Sequence, residues 1–106
     1  MSTLPDIAEF IADPGVDQSW TDSFYTWMHE HPELSEEEQT AKHILSRLAT
    51  MDCEVTHDIG GHGITAVWRN GEGPTVLYRA DFDGLPVTET TGASYASTNP
   101  GVMHAC

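Results

Sequence analysis

The sequence predicts an α/β fold, the opening part of a layered domain in which a central sheet lies between helices. Three observations carry that expectation. Up to about residue 50 the apolar residues recur at three- and four-residue spacing, and beyond it they shift to strand-like runs. An acidic pair, Asp81 and Asp83, then stands at the exit of an apolar strand, the place where α/β domains collect their ligands.

The first element, residues 4–12, spaces Ile7, Phe10 and Ile11 for one helical face and stops at Asp13-Pro14-Gly15. A second helix begins near Ser19, where Trp20, Phe24, Trp27 and Met28 form a stripe that reads as core, and the run from His29 to Pro32 ends it. A third starts at about Ser35, capped by the serine hydroxyl, with Glu36, Glu37 and Glu38 in the first turn, where the positive end of the helix dipole favours carboxylates. Ile44, Leu45 and Leu48 are its expected buried face.

Residues 53–59 read as extended chain leading into Gly60-Gly61-His62-Gly63. Residues 64–69 and 75–80 are the stronger strands, and Asn70-Gly71-Glu72-Gly73-Pro74 between them has hairpin-turn chemistry. Val76-Leu77-Tyr78 gives the second of these strands the character of a central one. A polar loop rich in Thr, Ser, Gly and Pro then runs to Gly101-Val102-Met103-His104-Ala105-Cys106. No repeat or low-complexity tract interrupts the 106 residues, a length that fits one domain, residues 1–106.

Seventeen Asp and Glu face four Lys and Arg, a formal net charge of −13, so phosphate backbones and anionic membrane surfaces are repelled. Nucleic acid and membrane are thus excluded as expected partners. The two cysteines, Cys53 and Cys106, are too few for a small secreted disulfide scaffold. No basic segment followed by an apolar run marks a leader, and no stretch reaches the roughly 18 apolar residues of a membrane span. A reduced, cytoplasmic protein is expected.

Two constellations bear on chemistry. Asp81-x-Asp83 suits either a ligand site or a turn whose side chains hydrogen-bond the backbone. His104 and Cys106 offer an imidazole and a thiol, good donors for zinc-like ions, yet two ligands do not make a stable mononuclear site. A free cysteine beside a surface histidine accounts for them as well. A cysteine nucleophile ranks third, because it needs a base and an orienting group, and His104 at i−2 would face away on a strand.

The ordered series His29-Glu30-His31-Pro32-Glu33-Leu34-Ser35, Glu37-x-x-Thr40, the blocks at 60–67, 73–87 and 91–97, and Pro100-Gly101-Val102-Met103-His104-Ala105-Cys106 resembles the N-terminal portion of the M20 metallopeptidase family. The similarity lies with its amidohydrolase branch and runs from about Phe24 to the last residue. It departs from the family pattern in Trp27-Met28, where basic residues are usual, and in Tyr78 and Gly84, where an aliphatic residue and alanine are usual.

The resemblance implies a hydrolase with two divalent ions (Mn, Zn or Co) in the complete site, cleaving the amide bond of small N-acyl amino acids through a bridging water. It implies that Cys106 is a metal ligand and that Asp81, Asp83 and His104 support the site without binding metal. In the branch, Met-His-Ala-Cys continues into Gly-His-Asp, so the remaining ligands, the glutamate base and the lid domain are expected beyond Cys106. On that expectation the 106 residues are an N-terminal part of the catalytic domain that neither holds the ions stably nor catalyses, and homo-oligomers are possible partners. The competing expectation is a complete, non-catalytic α/β module that acts by association through an exposed strand edge.

Overall fold

Asp6 opens the first helix by accepting a hydrogen bond from the Ala8 N–H (2.9 Å), and α1 spans Ile7–Ala12. The computed structural model describes residues 6–13, 15–35 and 38–106. The expected start at Leu4 and stop at Pro14 lie outside the described residues. Ile7, Phe10 and Ile11 do share the helix, but all three are exposed.

Asp17 caps α2, Gln18–Glu30, with its carboxylate accepting from the Ser19 and Trp20 N–H groups and the Ser19 hydroxyl. A carboxylate at this position satisfies orphan donors and also meets the positive end of the dipole. Helix α3 spans Glu38–Leu48. Glu36 and Glu37 lie outside the described residues, and the first-turn N–H groups of Gln39 and Thr40 meet Glu33 rather than the expected Ser35. The Glu33 carboxylate reaches forward to accept from the Gln39 and Thr40 N–H groups and from the Thr40 hydroxyl, the last at 2.7 Å. Thr40 is fully buried.

The aromatic stripe of α2 meets α3 through stacking. His43 lies between Trp27 (4.0 Å between ring centroids, 6° between planes) and Phe24 (5.3 Å), and the Arg47 guanidinium sits 4.2 Å from the Trp20 ring centroid. Because an imidazole and a guanidinium fill the seam, Ile44, Leu45 and Leu48 are only half-buried, and the buried residues of α3 are Thr40 and Ala41.

Strand β1, Glu54–Ile59, pairs antiparallel with β2, Gly63–Val67, and the Arg69 guanidinium holds Glu54 at the open end. The register slips between Thr56 and Ile59, where Asp58 takes a φ of 57°. Gly60 and Gly61, at φ 61° and 123°, make the turn with backbone angles that other residues adopt at a cost. The hairpin is therefore one element earlier than the sequence suggests: β2 pairs backward with β1, and residues 75–80 form no strand. The reason is visible in their exposure. Val76, Leu77 and Tyr78 are 89, 85 and 92 % exposed, and no described residue pairs with their backbone. An apolar run on both faces belongs to a strand flanked on both sides, and among the described residues it has no neighbouring strand.

The result is a mixed α/β arrangement with an incomplete sheet and little core. Its radius of gyration is 16.9 Å, against about 13 Å for a compact domain of this length. Its accessible surface is 8536 Å², against roughly 5,800 Å² for a compact chain of this mass. Among the described residues no helix is long and apolar enough to cross a membrane.

Candidate functional site

The C-terminal end of α2 leaves carbonyls that helix geometry cannot satisfy. The loop from 84 to 103 supplies donors to the last of them and to two carbonyls just beyond the helix. Thr98 gives both its N–H and its hydroxyl to the Glu30 carbonyl (2.8 Å each), the Asn99 amide donates to the Pro32 carbonyl (3.0 Å), and the Gly84 N–H donates to the Glu33 carbonyl. Gly84 is buried so tightly that a Cβ there would lie 3.1 Å from the Pro32 and Val102 side chains. Leu85 and Met103 exchange two backbone hydrogen bonds, at 2.8 and 3.0 Å, which carries the 81–84 segment alongside the last residues of the chain.

One side chain organises this loop from within. Glu89 accepts from the Thr91 hydroxyl, from the Ser97 N–H (2.8 Å), and pairs with His29 Nε2 (2.9 Å). Its side chain is 4 % exposed. These partners, the Thr91 hydroxyl first, then the Ser97 N–H and the His29 imidazole, hold the Glu89 carboxyl at a pKa of about 2. His29 is itself buried, stacked on Tyr25 and edge-on to Tyr95.

Between α2 and residues 81–106 lies an open cleft of about 350 Å³. Phe24, Met28 and His29 form one wall, and Asp81, His104 and Cys106 are on the other. Three of the four residues singled out from the sequence thus face one space. Asp83, half-buried, lies close enough to His104 to act on it through its charge and its backbone. Burial pushes the His104 imidazole below its ordinary pKa and His29 adds to that, while Asp83 opposes it; Nε2 of His104 is buried without a hydrogen-bond partner. The Asp83 side chain, with the N–H groups of Asp83 and Phe82, holds the Asp81 carboxyl below the usual range. Cys106 is an exposed free thiol, and Cys53 is a free thiol against the Leu48 carbonyl.

As a metal centre the set is partial. Among the described residues no three His, Cys, Asp or Glu side chains converge as an ion would require, so Cys106 offers a soft donor without the companions that would close a shell.

Comparison with known proteins follows the same outline. No family model matches the chain. It is 46 % identical over 80 residues to YhaA of Bacillus subtilis, a protein named as an amidohydrolase, and 40 % identical over 81 residues to the N-acetyl-L-cysteine deacetylase of the same organism. In each case the match takes in 74 % of this chain and 20 % of the relative. The crystal structure of B. subtilis YXEP, a dinuclear metal-binding peptidase from the M20 family, superposes with a TM-score of 0.72 at 34 % identity, over 86 % of this chain and 27 % of that one. This chain matches the N-terminal part of M20-family amidohydrolases. It spans about a fifth of the length of the curated relatives.

The helices and the small antiparallel sheet match the N-terminal part of M20 aminohydrolase domains, and the α/β class expected from the sequence is the one observed. What the sequence does not disclose is the scaffold behind the cleft: Glu33 on α3, Glu89 on His29, Thr98 and Asn99 on the end of α2. Glu89 stands in a Thr-rich loop with no cation near it in sequence, and its partner His29 is 60 positions away. The acidic residue in an otherwise uncharged loop is the one local signal that could have drawn attention to it.

Proposed function

We propose that residues 1–106 are the N-terminal part of the catalytic domain of a divalent-metal-dependent amidohydrolase acting on small N-acyl amino acids. In this reading Cys106 ligates one of two ions, and the 106 residues are inactive by themselves. The observation that carries it is the meeting of Asp81, His104 and Cys106 on one cleft in a chain related to a dinuclear metal-binding peptidase. The deacetylase name borne by a relative supports the N-acyl substrate class. Manganese, zinc or cobalt, when bound, would supply Lewis-acid activation of the scissile carbonyl. The chain's own residues have humbler tasks: Asp81 lines the cleft with His104 and Cys106, and Asp83 acts on His104 through its charge and its backbone. Two free thiols accord with a cytoplasmic location, and the −13 charge accords with a small substrate rather than nucleic acid or membrane.

The test compares the 106-residue chain with a chimera in which it replaces the matching residues of the B. subtilis M20 peptidase. Both are assayed with manganese or zinc for amino-acid release from a panel of N-acyl substrates. We expect no release by the isolated chain, release by the chimera, and a loss of about a hundredfold or more on Cys106→Ala, at least what loss of a supporting contact costs such sites. Hydrolysis by the isolated chain, or a chimera indifferent to Cys106→Ala, would overturn the reading.

The exposed run Val76-Leu77-Tyr78 favours a second reading, a non-catalytic module that works by association, in its simplest form as a homo-oligomer. A stable dimer of the isolated chain together with an inactive chimera would select it.

A further inference from the structure

We infer that Glu89 is a positioning residue for the Met103–Cys106 segment, anchoring it to the last turn of α2 through His29 and Ser97. The path is continuous. His29, on α2, lies 2.9 Å from one Glu89 oxygen, and the same oxygen accepts from the Ser97 N–H. The Ser97 hydroxyl lies 2.7 Å from the Val102 carbonyl and 3.1 Å from that of Asn99, and it accepts from the Asn99 N–H. The next residue, Met103, exchanges backbone hydrogen bonds with Leu85, and Cys106 follows three residues on.

Why a carboxylate should stand there follows from burial. The group is nearly sealed from water, so it persists as an ion only because donors surround it, and each donor is in turn held by the same ion. Remove it and the His29 Nε2 and the Ser97 N–H lose a buried acceptor together, which frees the loop rather than shifting one contact. The hydrogen bonds of Glu89 go to His29, Thr91 and Ser97, so it acts on the cleft's far wall through Ser97. Its importance to hydrolysis rests on the reading of Cys106 as a ligand, but its effect on the loop does not.

The experiment is amide hydrogen exchange on the full 106-residue chain, without metal or substrate, for Glu89→Leu and Glu89→Gln. The Met103 and Leu85 amides, which bond to each other's carbonyls, report the loop; the Thr40 amide, bonded to Glu33, reports the rest. We expect Glu89→Leu to speed exchange at Met103 and Leu85 about tenfold or more, as loss of a charge-assisted bond implies, with Thr40 unchanged. Glu89→Gln keeps an acceptor for Ser97 and should recover part of that protection, a rescue that lost packing would not show. Unchanged exchange at Met103 and Leu85 in Glu89→Leu overturns the inference, and so does equal acceleration at Thr40 in both variants. A positive result here with a chimera indifferent to Cys106→Ala leaves the anchor standing and removes only the ligand.

Discussion

Thr40→Val is the sharpest test of how the chain holds its two main helices. The substitution keeps the shape of a fully buried side chain and deletes one donor, the hydroxyl 2.7 Å from a Glu33 carboxylate oxygen. A hydrogen bond to a charged group contributes about 1.5–3 kcal/mol. The valine methyl returns about 0.8 kcal/mol by burial, so the net cost is about 1–2 kcal/mol. Glu33→Ala removes the backbone cap as well, worth about 1 kcal/mol, and strands the Thr40 hydroxyl at about 1–3 kcal/mol, a total of about 2–4 kcal/mol. In the double variant the hydroxyl that Glu33→Ala strands is gone, so Thr40→Val becomes stabilising there by about 1–3 kcal/mol and the coupling is about 2 kcal/mol or more. Urea titration followed by tryptophan fluorescence reads this directly, because Trp27 stacks on His43 of α3. Costs that simply add, or a Thr40→Val chain within about 0.5 kcal/mol of the parent, would refute the account of Glu33 as the cap of α3.

Acid should loosen the loop. The folded pKa of Glu89, about 2, lies below its ordinary value, so its stabilisation is present above the unfolded value and is lost as pH falls from about 4.5 toward 2; amide exchange at Ser97 should show this, and Glu89→Gln should flatten the response. Gly84→Val drives a branched side chain between Pro32 and Val102 and should cost about 1–3 kcal/mol by overpacking, seen in a lowered denaturation midpoint; an unshifted midpoint would mean the contact at 3.1 Å relaxes freely. Leu77→Lys places a charge in the bare apolar run and should shift the isolated chain toward monomer in sedimentation, whereas an unchanged distribution would locate self-association elsewhere.

The elements legible in the sequence were those governed by neighbours along the chain. The spacing of Trp20, Phe24, Trp27 and Met28 reads as a helix because each needs only the turn below it. The glycines at 60, 61 and 63 likewise announce a turn, although which strands it joins depends on distant pairing. The segment 75–80 shows the limit: its residues suit a strand, but a strand requires a neighbour to accept its hydrogen bonds. At the site, Asp81, His104 and Cys106, three of the residues the sequence suggests, line one cleft. Asp83 acts on His104 through its charge and its backbone. The supporting contacts of Glu33, Glu89 and Asn99 escaped notice because carboxylates and amides give no periodic signal and their partners lie far off in sequence.

That distance has a kinetic consequence. The bonds that seat the loop on the end of α2 join residues separated by 60, 67 and 68 positions, whereas the α2–α3 seam and the β1–β2 hairpin join near neighbours. Closing so long a loop must be paid in chain entropy before any of its contacts can form. The helices and hairpin therefore form early, and the cleft that brings Asp81, His104 and Cys106 together is assembled last.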